Sequence, residues 1–320
     1  MPERTVRSAM ALPGDDSVLE ACKLYSPRVT ARQSKSTHSP HQRMHPSPVT
    51  PQAMPTEPLV SCLMVTQLSR LPMARFAIGD FLVQQWATRQ LVLLHDGDDL
   101  AHRQWLEAVD ASRRQAIAGH ANGAIRSSTT LLPEVHVVRA ASGQTLGQLR
   151  NASVDAALGE FICQWDDDDR YHPERLSLQM MAIRQTRADF CFLRDQLHLY
   201  PGTGELAWED MNREAYPMNF VQGSLLGRRR LMPRYPSERR GEDTAICKAI
   251  LRADHHVVRL SDVGWCYCYI YHGQNTWDEA HHRAITAHRQ FNPAAMRNRH
   301  AKLVARLAEY QPPFSAIQAG

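Results

Sequence analysis

The chain has no run of about 18 apolar residues, so no membrane-spanning helix is expected among its 320 residues. Its start lacks the apolar core of a secretory signal. Its seven cysteines include no CxxC pair, and no Cys/His set has the spacing of zinc ligands. A net charge of +4 with no block of about five basic residues argues against a nucleic-acid-binding arm. Arg228-Arg229-Arg230 and Arg239-Arg240 are the densest basic spots and read as solvated loop or helix-end arginines. No GxxxxGK[ST] occurs, which excludes a P-loop enzyme as far as motifs go. No internal repeat is visible.

What is present is the composition of an ordinary globular protein, 43% hydrophobic and 22% charged, long enough to bury a real core. Cys62, Cys163 and Cys191 lie in apolar, strand-like runs, and Cys266 and Cys268 alternate along another. They read as reduced core residues of a cytoplasmic protein. Residues 1–57 hold nearly half of the 19 prolines, with many Ser, Thr, His and Gln and no sustained apolar period. This segment is expected to be a disordered leader or a wrongly extended start, with Met54 as a later start. Residues 58–320 are expected to form one catalytic domain with a C-terminal helical segment.

From Leu59 the pattern alternates. Apolar runs at 59–66, 90–96, 134–140 and 160–165 read as strands. Residues 70–87, a segment around Trp105, Leu106, Val109 and Ile117, and residues 144–157 with Leu146, Leu149 and Ala156 inward read as helices. Strands alternating with helices imply an α/β fold: a mostly parallel central sheet flanked by helices, with ligands at the carboxyl ends of the strands. Further on, 189–199 and 219–227 read as strands and 242–253 as a helix. Residues 255–271 are strand-rich and 277–309 mostly helical.

Four consecutive aspartates, Asp166 to Asp169, follow the 160–165 strand directly. At ~4 Å and an effective dielectric of 20, two like charges repel by about 4 kcal/mol, so such a cluster needs a counter-charge. A divalent cation, Mn2+ or Mg2+, supplies one, because these ions prefer carboxylate oxygens together with substrate phosphates. The bland alternative is a solvated acidic turn with its side chains splayed apart.

The passage Gly159-Glu160-Phe161-Ile162-Cys163-Gln164-Trp165-Asp166-Asp167-Asp168-Asp169, with Pro173 following, resembles family 2 glycosyltransferases of the GT-A fold, the nucleotide-diphospho-sugar transferase fold. Arg150-Asn151 falls where that family often has "RN", and Gly241-Glu242-Asp243 opens a later helix as its acidic "ED" does. The similarity runs from about residue 59 to about residue 277. It implies that Asp166 and Asp168 are the two aspartates of the DxD motif, with Asp168 on the metal and Asp166 on the ribose or the metal. Asp167 lies between them in the same nucleotide-binding cluster. It further implies that Asp243 is the general base on the acceptor hydroxyl, that Thr66 opens the nucleotide-binding loop, and that Arg150 sits near the donor's diphosphate or sugar. Two places depart from the pattern. The first loop reads Val65-Thr66-Gln67-Leu68-Ser69, without the common Pro-Thr-Tyr-Asn, and the second strand ends His95-Asp96-Gly97, where Asp-Asp-Gly is usual. His95 thus stands in the place of the base-binding aspartate, with Asp96 beside it.

Tyr271-His272-Gly273-Gln274-Asn275-Thr276-Trp277 is a second polar-aromatic patch, with Asn275 or Thr276 as a candidate helix N-cap. His272 is a candidate to complete the metal shell, as a late histidine does in some GT-A enzymes; a hydrogen-bonded turn histidine is the alternative. Trp208 and Gln222-Gly223-Ser224 are candidates for the acceptor site, with a packed aromatic as the alternative for Trp208. His281, His282 and His288 read as surface residues. The resemblance implies a nucleotide-diphosphate sugar donor, a glycan, lipid-linked or other hydroxyl acceptor in surface glycan or glycolipid synthesis, and no nucleic-acid partner. One base and no separate nucleophile imply inversion at the anomeric carbon. The expected location is cytoplasmic, with a peripheral contact at the inner face of the membrane left open. Two rivals stand beside this reading. A nucleotidyltransferase would want a glycine-rich basic loop where Thr66-Gln67-Leu68-Ser69-Arg70 stands. A non-catalytic sugar-nucleotide-binding or scaffold protein of the same fold would not need Asp166, Asp168 and Asp243 intact.

Overall fold

A computed structural model describes residues 57–121 and 134–314. The expected leader, residues 1–57, lies outside the described residues except for Glu57, and so does Cys22.

Strands β1 (Val60–Thr66) and β2 (Arg89–His95) are neighbours in a seven-stranded sheet. Its order continues through β3 (Glu134–Arg139) on one side. On the other lie β4 (Phe161–Gln164), β9 (Val221–Arg228), β6 (Phe190–Leu193) and β10 (Val257–Leu260). β1 runs parallel to both β2 and β4, and β2 parallel to β3. β9 is antiparallel to β4 and β6, and so interrupts an otherwise parallel sheet. The run Leu91–Leu94 is apolar throughout because both faces of β2 are covered. Cys62, Met64, Leu91 and Leu93 pack toward α1 (Leu71–Leu82), on Ala77, Ile78 and Phe81. Leu63, Val92 and Ile162 pack on the opposite face with Ala157, at the end of α3 (Leu146–Ala156). The expected α/β architecture, a mostly parallel sheet with helices on both faces, is therefore present.

A second sheet of four strands adjoins it, in the order β5 (Arg170–Tyr171), β11 (Tyr267–Ile270), β7 (Asp195–Tyr200), β8 (Glu205–Asp210). The expected single strand over 189–199 is thus two strands in two sheets, divided at Arg194. Its N–H donates to Leu260 O and its carbonyl accepts from Met211 N. The helix expected over 70–87 is shorter, because a 3-10 turn at Leu68–Arg70 precedes α1. In α2 (Asp99–Ala121), Trp105 and Val109 face the core as expected, but Leu106 and Ile117 are exposed. Leu149 of α3 faces inward as expected, together with Gly147 and Ser153, whereas Leu146 and Ala156 are only half-buried. The remaining helices are α4 (Arg175–Thr186), α5 (Glu242–Arg252), α6 (Glu279–Arg289) and α7 (Pro293–Leu307).

Two local devices fix the start of β4 and the turn that follows it. Gly159 lies against the main chain of β1, where a Cβ would come within 2.7 Å of Leu59 O and Ser61 N, so no other residue fits without moving the strands. Beyond the turn, the guanidinium of Arg170 makes a buried two-point pair with Asp80 of α1, at 2.7 and 2.9 Å. Tyr171 N donates to the same carboxylate at 2.8 Å. Breaking such a buried pair from one side costs about 3–5 kcal/mol, so this clamp holds α1 to the residues just after Asp169.

All six described cysteines are buried and unpaired in disulfides, Cys266 in a 3-10 turn rather than a strand. No described helix is long and apolar enough to cross a membrane.

Candidate active site

The aspartate run caps the carboxyl end of β4, one strand from the carboxyl end of β1. The four side chains do not splay into solvent. Asp166 is the most open of them, with a quarter of its side chain exposed. Arg150 Nη2 donates to its Oδ1 at 3.1 Å and Gln164 Nε2 to its Oδ2 at 2.9 Å. Thr66 Oγ1 donates to Asp167 Oδ2 at 2.6 Å. Arg70 Nη1 reaches Asp167 Oδ1 at 3.1 Å and Asp168 Oδ2 at 2.6 Å. His272 Nε2 lies 3.1 Å from the same Asp168 oxygen. Asp169 points inward and accepts from Tyr267 Oη at 2.6 Å and from Ile270 N at 3.2 Å. Tyr171 Oη donates to Asp166 O at 3.0 Å, which holds the turn from below.

The electrostatics sort these carboxylates. Burial and the charge of Asp168 push Asp167 up to about 7, against Arg70. Burial, with Asp168 and Asp166 nearby, pushes Asp169 well above the usual range. Burial would raise Asp168 too, but the His272 bond and the Arg70 charge outweigh it and hold its pKa low. The lowered pKa of Asp168 favours its charged form, to which a cation would be drawn.

Arg150 is placed by α3. Thr145 caps that helix in a reciprocal capping box with Gln148: its Oγ1 accepts from Gln148 N and its N–H donates to Gln148 Oε1. Such a cap is worth about 1 kcal/mol. Arg150 Nε donates to Glu242 Oε1 at 2.9 Å, so one guanidinium joins the aspartate turn to the first turn of α5. Gly241 precedes α5 with φ +76°, a left-handed conformation that glycine adopts without strain. Asp243 follows, half-buried, its Oδ1 accepting from Thr244 N at 2.6 Å. Thr244 Oγ1 bonds Gln222 Oε1 at 2.6 Å. Next to Gln222, Gly223 leaves room that a Cβ would fill, 2.8 Å from Tyr267 Oη and 3.4 Å from Asp166 Oδ2. Burial lifts the Glu242 carboxyl above its ordinary range even beside Arg150.

His95 lies at the end of β2 but is buried, with both ring nitrogens engaged: Nδ1 accepts from Gly97 N at 3.2 Å and Nε2 is 3.0 Å from His102 Nδ1. Burial, with His102 and Arg139 nearby, lowers its pKa. Asp96 beside it is half-buried. Nδ1 of His272 accepts from Gln274 N at 3.2 Å, so its Nε2 is the N–H that faces Asp168. In this arrangement His272 is a donor to Asp168, and direct ligation would require the Gln274 bond to break.

Three expectations are corrected. Trp208 is wholly buried, its Nε1 donating to Asp195 at 2.7 Å, so it packs the core rather than lining an acceptor site. His282 is buried against Tyr269 and His198, not a surface residue, and burial pushes it down to about 4. The N-cap of α6 is Asp278, which accepts from His281 N at 2.9 Å, rather than Asn275 or Thr276. Asn275 instead accepts from His272 N and donates to Tyr269 Oη and Ile270 O. Sequence reasoning passes over Arg70, Glu242 as the partner of Arg150, and Tyr267. None of them stands out in the linear pattern, because each pairs with residues some 90 or more positions away.

A cavity of about 740 Å³ opens beside Asp168 and His272, walled by Met73, Phe76, Tyr200 and Tyr271. Among the described residues, His172, Glu174 and Glu309 bring ligand atoms close enough together to share a metal ion, but an arginine side chain already supplies them a positive charge. Arg306 Nη1 sits 2.8 Å from Glu174 Oε1 and 3.3 Å from Glu309 Oε2.

Residues 110–196, which include α3, β4 and the aspartate run, match the family model for Glycosyl transferase family 2. The match spans less than a third of the chain and supports a glycosyltransferase of that kind. No curated protein matches its sequence. Among solved structures it is similar to S. aureus TarS 1-349, at 16% identity and a TM-score of 0.44 over 72% of this chain and 69% of that one. It is also similar to the same protein in complex with UDP, at 18% identity and 0.47 over 77% and 72%. A third is the mannosyltransferase PcManGT from Pyrobaculum calidifontis in complex with GDP-Man and Mn2+, at 13% and 0.46 over 83% and 75%.

Proposed function

We propose that the chain transfers a sugar from a nucleotide-diphosphate donor to a hydroxyl acceptor with inversion, using a divalent cation held by Asp168 and Asp166. The observation that carries this is the Arg150 bridge, which ties Asp166 to Glu242 and so sets the aspartate turn opposite Asp243 at the head of α5. The donor set fits the ion. Asp168 and Asp166 offer carboxylate oxygens of the kind Mn2+ and Mg2+ take, and the missing side chain at Gly223 keeps space open beside Asp166. When bound, the ion would neutralise charge on the diphosphate leaving group, a contribution of several kcal/mol.

The chain's own residues do the rest. Arg150 and Thr66 orient the donor, and Asp96 meets its base. Asp167 fixes Thr66 and Arg70 rather than meeting the donor directly. His95 supports this rim through Gly97 and His102. Asp243 takes the proton of the attacking hydroxyl, worth about 10² to 10⁴ in rate. With a single base and no second nucleophile, attack comes from the face opposite the leaving group. Similarity to enzymes crystallised with UDP and GDP-Man suggests those two nucleotides as first probes, and the family resemblance suggests a surface glycan or glycolipid acceptor. We assign residues 58–320 to one catalytic domain.

Calorimetry with UDP, GDP and their sugars, with and without Mn2+ or Mg2+, tests the donor site. One nucleotide should bind only with metal, and Asp168→Asn should abolish that binding. Binding indifferent to both metal and Asp168 would return the aspartate run to a structural role. NMR of the product anomer decides between inversion and retention.

A further inference from the structure

Arg70 is the last residue of the 3-10 turn between β1 and α1, and its guanidinium crosses to the aspartate run. Its Nη1 is 2.6 Å from Asp168 Oδ2 and 3.1 Å from Asp167 Oδ1. Asp168 Oδ2 also faces the Nε2–H of His272 at 3.1 Å. A carboxylate oxygen has about two lone-pair sites, so both of those on this oxygen are taken. A divalent ion binding there at about 2.0–2.2 Å needs one of them and repels a guanidinium at hydrogen-bond distance. The Arg70 side chain is 31% exposed, so it can leave without disturbing the core. Thr66 keeps Asp167 in place after Arg70 has gone.

We propose that Arg70 is an exchangeable counter-ion: it occupies the metal's place on Asp168 in the resting enzyme, gives it up when the metal arrives with the donor, and turns to the donor's diphosphate. The proposal rests on reading Asp168 as a metal ligand. It makes metal and nucleotide binding mutually dependent, because the metal alone must displace a cation that then has no anion to pair with. With the diphosphate present, that cation gains a new partner.

The test is Mn2+ binding to the whole chain, followed by electron paramagnetic resonance of free Mn2+ and by calorimetry, alone and with UDP or GDP. Wild type is compared with Arg70→Gln, Arg70→Met and Arg70→Lys. The two neutral variants should bind Mn2+ alone roughly tenfold more tightly than wild type, the size expected when one nearby like charge is removed. Nucleotide should strengthen their Mn2+ binding less than it strengthens that of wild type, and Arg70→Lys should stay close to wild type. A merely structural arginine would give weaker binding on removal. If wild type binds Mn2+ with nucleotide but the neutral variants bind Mn2+ alone no more tightly than wild type, the counter-ion proposal fails and the metal site stands. If neither wild type nor variant takes up Mn2+ in any combination, the metal site itself fails and the counter-ion role with it.

Discussion

Glu242 and Arg150 are 92 residues apart in sequence and 2.9 Å apart in space, and the second arm of the same guanidinium ends on Asp166. The carboxylate at the head of α5 thus holds the arginine that holds the aspartate turn. Glu242→Gln keeps a hydrogen-bond acceptor but removes the charge opposite Arg150. We expect a fall in kcat of roughly tenfold, since a bond to a charged group is worth about 1.5–3 kcal/mol and Asp166 remains to hold the guanidinium. Steady-state kinetics with the donor identified by calorimetry checks this. An unchanged kcat would mean that Asp166 alone sets Arg150.

Asp243→Asn should lower kcat by about 10² to 10⁴ while leaving metal-dependent nucleotide binding intact. The two readouts, single-turnover transfer and calorimetric affinity, separate a base from a donor ligand. A parallel loss of nucleotide affinity would move Asp243 to the donor side.

Gly223→Ala introduces a methyl group 2.8 Å from Tyr267 Oη and 3.4 Å from Asp166 Oδ2. Tyr267 is wholly built into the core and holds Asp169, so it has little room to yield. We expect a loss of about 1–3 kcal/mol in stability from overpacking, seen in urea unfolding, and weaker metal-dependent nucleotide binding.

Acid should destabilise the fold through His172. Its ring is fully buried against Trp265 and Tyr310, and its Nδ1 accepts from Glu174 N. Burial, with the Arg306 charge beside it, pushes it down from 6.5 to about 3. Glu309 lies 3.2 Å from Nε2 but is itself held by Arg306. The unfolded chain takes up this proton near pH 6.5 and the folded chain only near 3. Stability is therefore complete above pH 6.5 and is lost as the pH falls from there toward 3, by at most about 5 kcal/mol. Melting temperatures of wild type and His172→Gln across this window should converge as the pH drops. A constant gap between the two would rule out the titration of His172 as the cause.

The parts of this molecule that were legible in its sequence are those in which neighbours along the chain settle the outcome. The apolar run of β2, the strand-then-aspartates passage at β4, and Glu242-Asp243 opening a helix after a glycine all fall where period and turn chemistry put them. What escaped depends on distant partners. Leu106 and Ile117 fit a helical period, yet no described residue covers that side of α2, and they are exposed. His282 sits on a polar helix, yet Tyr269 stacks on it from β11 of the four-stranded sheet. The apolar run at 189–199 gives no sign that the chain changes sheets at Arg194, because both halves are equally buried. The same holds at the site, where Asp166 and Asp168 are conspicuous in the sequence and Arg70, which neutralises the run, is one arginine among many.

Asp169 is almost wholly buried, and its inward carboxyl group is fastened to Tyr267 Oη and Ile270 N, the first and last residues of β11. Two residues after Ile270 stands His272, whose ring meets Asp168. The distance between that imidazole and that carboxylate is thus gauged by main chain running from one aspartate to its neighbour's partner, as a template fixes two drill holes. A ligand entering here meets a jaw already set to width. Little ordering entropy is left to be lost on arrival, which favours binding at this corner over binding at a site assembled from loops.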